Sequence, residues 1–246
     1  MAEDTSKALE SAARLAAQKG LRRYTRFLDP AQAREAEGIA RSAGARITCW
    51  GGYERAERVI ACFHAEGDAP EPDEFPIVCL RSGFNARFCS LSHRDLLGAF
   101  MALGLTRACV GDMIIEDASV ILFATQQTAG FIAQGLTSAG KAALHFEELS
   151  QTPSIPEPDG TAFSAVVSSL RLDAVLAAAY RLSRAGAADQ IRAGLVKLDH
   201  LPCDRVDAQV AEGAMLSLRG KGRVRLTSVD GMTRKQRIGV TFFRYE

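Results

Sequence analysis

The segment Gln151–Gly160, QTPSIPEPDG, packs three prolines, two acids and a closing glycine into ten positions. Each proline removes a backbone donor and fixes a dihedral, so the stretch can carry neither a helix nor an inner strand. It reads as a linker at 151–160, leaving 1–150 on one side and 161–246 on the other, each long enough to bury a core of its own.

Charge divides at the same place. Residues 161–246 hold 14 Lys and Arg against 8 Asp and Glu, a net +6, whereas residues 1–160 hold 16 against 21, a net −5. The overall +1 conceals this asymmetry, which suits a C-terminal part that meets a polyanion; a basic surface without a partner is the alternative that charge alone leaves open. With 47% apolar and 24% charged residues, a disordered or fibrous chain is excluded. The longest apolar runs, Ser119–Ala124 and Ala174–Tyr180, fall far short of the roughly 20 residues that a membrane-spanning helix needs. Residues 1–28 are interrupted by charges throughout, so no secretory signal is expected, no membrane partner either, and a cytoplasmic location is. The six cysteines form no CxxC pair and no Cys/His cluster. No metal or small-molecule cofactor is expected, and the thiols read as small core hydrophobes.

Periodicity predicts an α+β chain. In the N-terminal region, 1–74, Glu3–Lys19 reads as a helix, and a second runs from its cap Asp29 through Pro30 and Arg41 to Gly44. Arg46–Trp50 and Arg58–His64 read as strands about a Gly51-Gly52 turn, followed by an acidic loop, Glu66–Glu74. In the middle region, 75–150, the reading is a strand Pro76–Arg81, a helix Ser92–Leu103, a hairpin of Asp112–Glu116 with Ser119–Ala124, a helix Thr125–Leu136 and a strand Lys141–Glu147. That order, βαββαβ, is the ferredoxin-like arrangement that also underlies the RRM module. Its central strands offer only Phe123 as an aromatic, without the pattern on which an RRM stacks bases.

His93-Arg94-Asp95 resembles a kinase catalytic triplet, but the glycine-rich loop, strand lysine and DFG segment of a kinase are missing from the sequence. Ser92 followed by Asp95 reads as a helix-capping pair. Asn85, Arg87, His93 and Arg94 could still form a polar patch at a helix N-terminus, a candidate second RNA contact. His64, His145 and His200 have no ligand-spaced companions.

The C-terminal region, 161–246, carries the most specific pattern. Leu170, Leu172, Val175, Leu176, Ala179 and Tyr180 suit a helix opened by Ser168 or Ser169. Ser183 then caps a second helix, with Ala187, Ala188 and Ile191 inside and Gly194 as its stop. Strand-like Leu195–Leu198 and Ala214–Leu218 follow, the latter running into Arg219-Gly220-Lys221-Gly222-Arg223-Val224-Arg225. The two glycines allow close backbone approach to a phosphate chain and the cations supply counter-charge. No GKS or GKT is present, so this is not a Walker loop.

Arg171-Leu172-Asp173, Ser183-Arg184, Ile191-Arg192-Ala193-Gly194, Val196-Lys197, Glu212-Gly213 and Leu218-Arg219-Gly220 resemble the alpha-L RNA-binding domain first described in small-subunit ribosomal protein S-four. Asp199 stands where that module usually has Asn, and Ala214 where Asp usually follows the glycine. The resemblance implies RNA contacts at Arg171, Arg181, Ser183, Arg184, Arg192 and Lys197, extended by Arg219, Lys221, Arg223 and Arg225; Arg171 and Asp173 read more simply as a pair within the fold.

Across the chain, Arg26-Phe27-Leu28-Asp29-Pro30, Trp50-Gly51-Gly52-Tyr53-Glu54, Ala86-Arg87-Phe88, Ser92–Gly98, Gly111-Asp112 and Arg237–Thr241 resemble the bacterial YlmH-type RNA-binding proteins. That resemblance implies a non-enzymatic factor binding structured rRNA or tRNA on the large ribosomal subunit, with a stranded peptidyl-tRNA, in quality control of stalled translation. The alternatives are an RNA-modifying enzyme of the pseudouridine-synthase kind, for which Asp95 or Asp112 would be the candidate carboxylates, and a scaffold that binds another protein through its acidic N-terminal part.

Overall fold

Local signals set the first elements of the computed structural model, which describes residues 2–116, 118–155, 160–232 and 237–245. Positions 156–159 of the expected linker lie outside the described residues. The Ala-rich helix α1 (Ala2–Lys19) buries Leu9, Ala13 and Ala16. Strand β1 (Arg23–Leu28) precedes helix α2 (Pro30–Ala43). The start of α2 is fixed reciprocally: the Gln32 N–H donates to the Asp29 carboxylate and the Asp29 N–H to the Gln32 side-chain oxygen, each at 2.9 Å. Gly44, at φ 74°, ends it. Strands β2 (Arg46–Trp50) and β3 (Val59–His64) complete an antiparallel sheet of order β1-β3-β2. Helices α1 and α2 cover one face of it, with Leu9, Ala13, Ala36 and Ala40 of the helices in one core with Phe63 of β3.

Strand β4 (Ile77–Gly83), helix α3 (His93–Ala102), strands β5 (Val110–Glu116) and β6 (Ser119–Thr125) and helix α4 (Gln126–Gly135) follow. Short strands β7 (Ser138–Ala139) and β8 (Ala142–Ala143) pair with each other, and β9 (Glu147–Glu148) pairs with β4. The four-stranded sheet has the order β5-β6-β4-β9, antiparallel throughout. The expected strand Lys141–Glu147 is thus corrected. Gly140 turns at φ 57°, the His145 N–H is taken by the Ser82 hydroxyl at 2.7 Å, and only residues 147 and 148 reach the sheet. Strand β1 was not expected either; its apolar residues do not alternate in a simple period.

Every residue of β6 is buried, because both faces of this sheet are covered. Leu80, Val120 and Leu122 meet Leu96, Phe100 and Ile132 of the two helices. On the other side Cys79, Ile121 and Phe123 meet Phe27, Ile60 and Cys62 of the first sheet. Residues on both sides of position 75 therefore share one core, and the chain falls into two compact units, Met1–Ile155 and Pro156–Glu246. The approach of the two sheets requires missing side chains: a Cβ on Gly52 would lie 2.3 Å from the Phe123 ring and one on Gly111 2.6 Å from Phe27. Cys62, Cys79 and Cys109 are buried and Cys49, Cys89 and Cys203 half-buried, all as free thiols; burial pushes Cys49 and Cys79 up to about 11.

In the second unit, strand β10 (Gly160–Val167) starts at the glycine that closes the proline-rich segment. Helices α5 (Leu172–Tyr180) and α6 (Arg184–Arg192) come next, then β11 (Val196–Leu198), β12 (Leu201–Pro202), β13 (Met215–Leu218), β14 (Gly222–Met232) and β15 (Ile238–Tyr245). The sheet order is β10-β15-β14-β13-β11-β12. Its inner face packs Leu216, Val224, Leu226, Val240 and Phe242 against Leu172, Val175, Leu176 and Ile191 of the helices. Helix α5 begins at Leu172, not at Ser168 or Ser169. The Leu170 carbonyl accepts from Val210 N at 2.8 Å and the Leu172 N–H donates to Ala208 at 2.8 Å, which holds this backbone extended until Arg171.

Candidate nucleic-acid interface

The helix pair of the second unit is organised around one carboxylate. Asp173, 6% exposed, accepts from the Arg171 guanidinium at 3.2 Å and from Arg184 at 3.1 Å, and also from Ala174 N at 2.9 Å. Burial by itself would push this carboxyl up, but the hydrogen bonds from Arg171 and Arg184 outweigh it and hold it below its ordinary value. The expected Arg171–Asp173 pair is present, and Arg184 shares it. Ser183 caps α6, its hydroxyl accepting from Gly186 N at 3.0 Å, so its side chain is already engaged. Arg181, exposed between the helices, adopts φ 54° and ψ 48°, a left-handed conformation that costs a non-glycine residue about 1 kcal/mol. Arg192 lies at the exposed end of α6, 3.4 Å from Asp189.

The remaining predicted cations lie elsewhere. The pairs Lys197↔Ser217 and Ser217↔Arg223 run across strands whose alternate residues, Leu216 and Val224, face the helices. Lys197, Arg223 and Arg225 are therefore on the outer face of the sheet, opposite α5 and α6. Arg219 and Lys221 are exposed in the β13–β14 turn, where Gly220 and Gly222 both take φ 80°. What the sequence presented as one basic surface is divided between a helix face and a sheet face, with the turn between.

Sequence reasoning missed the aromatics of that outer face. The guanidinium carbons of Arg223 and Arg225 lie 5.5 and 5.8 Å from the centroid of the Tyr245 ring, and Phe243 meets the same ring edge-on at 5.1 Å. The period-two alternation in Phe243-Arg244-Tyr245 was the available signal. Arg244, between them, points inward instead: it donates to the Ala179 carbonyl at 2.7 Å and lies over Phe163 at 5.3 Å, tying α5 to the sheet.

In the first unit, Asn85, Arg87, His93 and Arg94 are all exposed. The Asn85 side-chain oxygen accepts from Arg87 N at 3.2 Å, tightening a turn that leaves Phe88 83% exposed. Asp95 is occupied with Ser92, accepting from its N–H at 3.1 Å and its hydroxyl at 2.6 Å, and these bonds lower its pKa. Asp112 accepts from the Tyr53 hydroxyl at 2.8 Å, Glu57 N at 2.7 Å and Arg58 N at 3.1 Å; burial nevertheless leaves its carboxyl raised. Both carboxylates hold local structure. Phe123 is buried and stacked on Tyr53, centroids 5.2 Å apart, so it cannot receive a base. Among the described residues no group of His, Cys, Asp and Glu could hold a metal ion, and no helix is long and apolar enough to cross a membrane.

Comparison with known proteins gives these surfaces a context. Residues 70–153 match the family model described as "Putative RNA-binding domain in YlmH". The chain is 39% identical over 223 residues to the ribosome-associated protein quality control protein P2 of Bacillus subtilis (strain 168), covering 90% of this chain and 87% of that one. The chain belongs to the YlmH family. A solved structure, the cell division protein ylmH from Streptococcus pneumoniae, matches with a TM-score of 0.51 at 20% identity, over 60% of this chain and 90% of that one, which shows a shared YlmH-like α+β fold. In this family member, the matched segment 70–153 contains the four-stranded sheet, whose central strand β6 is buried throughout, while Arg81 of β4 and Glu147 and Glu148 of β9 are exposed at its edge.

Proposed function

We propose that this protein is a non-enzymatic, cytoplasmic RNA-binding factor that associates with the large ribosomal subunit and acts on stalled peptidyl-tRNA complexes in ribosome quality control. The observation that carries this reading is its relatedness, over nearly the whole chain, to a protein named for ribosome-associated quality control. The geometry adds the means. In the C-terminal unit, read as an alpha-L RNA-binding domain, Arg171, Arg181, Arg184 and Arg192 on the helix pair, with Arg219 and Lys221 on the turn, meet phosphates of structured rRNA or tRNA, and Ser183 sets their frame as a cap. Phosphate contacts of this type position a protein on RNA, while shape gives selectivity. The middle segment takes the role of a ferredoxin-like module, a reading supported by the order β5-β6-β4-β9, and Asn85, Arg87, His93 and Arg94 supply a second contact from a helix end instead of the sheet.

Sedimentation of lysate carrying the tagged full chain through sucrose gradients, at low and high salt, tests this. Co-migration with the large subunit is expected, and the double variant Arg184→Ala, Arg192→Ala should weaken it and flatten its salt dependence by roughly one unit of log–log slope for each phosphate no longer neutralised. Protein that stays at the top of the gradient at every salt overturns the reading.

A further inference from the structure

The outer face of the C-terminal sheet has a chemistry different from that of the helix pair. Gly160 opposes Tyr245 on β15, and Ala162 opposes Phe243; on the other side of β15, Val224 opposes Arg244 and Arg225 opposes Phe243. Continuing through Arg223↔Ser217↔Lys197, a row of outward residues crosses five strands with one half-exposed aromatic ring among cations. Small residues flank the rings on β10: Ala162 and Ser164 are exposed, so nothing bulky rises beside them. At Gly160 a Cβ would meet the Phe243 ring at 2.6 Å. The face is partly aromatic and positive.

We infer that this outer face, centred on Tyr245 with Phe243, Arg223, Arg225 and Lys197, binds a single-stranded RNA segment by stacking a base on Tyr245 while the cations track its phosphates. Guanidinium groups 5.5 and 5.8 Å from the ring centroid place positive charge beside the ring that a base meets, and every base offers a π-face, so such a surface is tolerant of sequence. A duplex has no unstacked base to offer and fits the phosphate-directed helix face instead. The unit would then hold RNA from two opposite sides, structured on the helices and single-stranded on the sheet. This inference rests on the protein being an RNA-binding factor, but not on the residues of the helix pair.

The test uses the full chain and a short oligouridylate carrying one 2-aminopurine, with affinity read by anisotropy and stacking by quenching of the aminopurine emission. The full chain should bind and quench. Tyr245→Ala should weaken binding about tenfold and abolish the quench, and Tyr245→Phe should keep both. If Tyr245→Ala proves unfolded by circular dichroism, Arg223→Gln with Arg225→Gln takes its place, with a several-fold loss and a weaker quench expected. Unchanged affinity and quench in the variant, or displacement of the oligonucleotide only by an acidic peptide, overturns the inference. So does failure to bind the oligonucleotide while co-sedimentation with ribosomes persists, an outcome that leaves the proposed function standing.

Discussion

The two principal sheets use their aromatic side chains in opposite ways. In the first unit, Phe123 of the four-stranded sheet is buried beneath Tyr53 and packs with Phe27 and Phe75, because a second sheet covers the face that its helices leave open. In the second unit the outer face is covered only in part: Met215, opposite Arg225, is buried, whereas Tyr245 and Phe243 lie half-exposed beside arginines. A sheet covered on both sides contributes stability and has no open aromatic face to offer a ligand. A sheet covered on one side keeps a surface available for recognition.

The largest effect should follow from attacking the doubly covered sheet. Phe123→Ala removes a fully buried ring from between two sheets and is expected to cost about 4 kcal/mol. Trp50, the single tryptophan, lies in the first unit and reports its urea unfolding by fluorescence. A loss below about 1 kcal/mol would mean that the two sheets do not depend on this packing, and the contrast between the units would fail.

A smaller effect is expected at the carboxylate that organises the helix pair. Asp173→Asn should destabilise the second unit at neutral pH by about 1 to 2 kcal/mol, a figure already discounted for the solvent that reaches both arginines. Because the folded carboxyl is held below its ordinary value, its contribution is present above the unfolded value near ~3.9 and is lost as the pH falls through the lower folded value. Hydrogen exchange of α5 and α6 across that range should show wild type and variant converging in acid. A gap that stays constant with pH would remove the ion pairs as the cause.

The smallest effect has the opposite sign. Arg181→Gly relieves a left-handed backbone and should stabilise the second unit by about 1 kcal/mol, while weakening co-sedimentation with the large subunit. Stabilisation with unchanged sedimentation would show that Arg181 does not face RNA, and would sharpen the division between the helix and sheet faces.

The sequence by itself determined the elements whose signals are local. Asp29 with Pro30, Ser92 with Asp95, and Ser183 mark helix starts by hydrogen bonds that close within three residues, and the resemblance to the alpha-L pattern located the basic helix pair. Strands β1 and β10 were not legible, because a strand is completed by partners remote in sequence: Leu28 pairs with Val59, and Gly160 with Tyr245. The facing of the cations was hidden for the same reason. Arg184 and Arg223 read alike as residues of a basic stretch, yet one turns to Asp173 and the other to Tyr245. Helix caps and charge runs are properties of neighbouring residues; which face of a sheet remains open is decided by what packs against the other, and only the tertiary structure makes that choice.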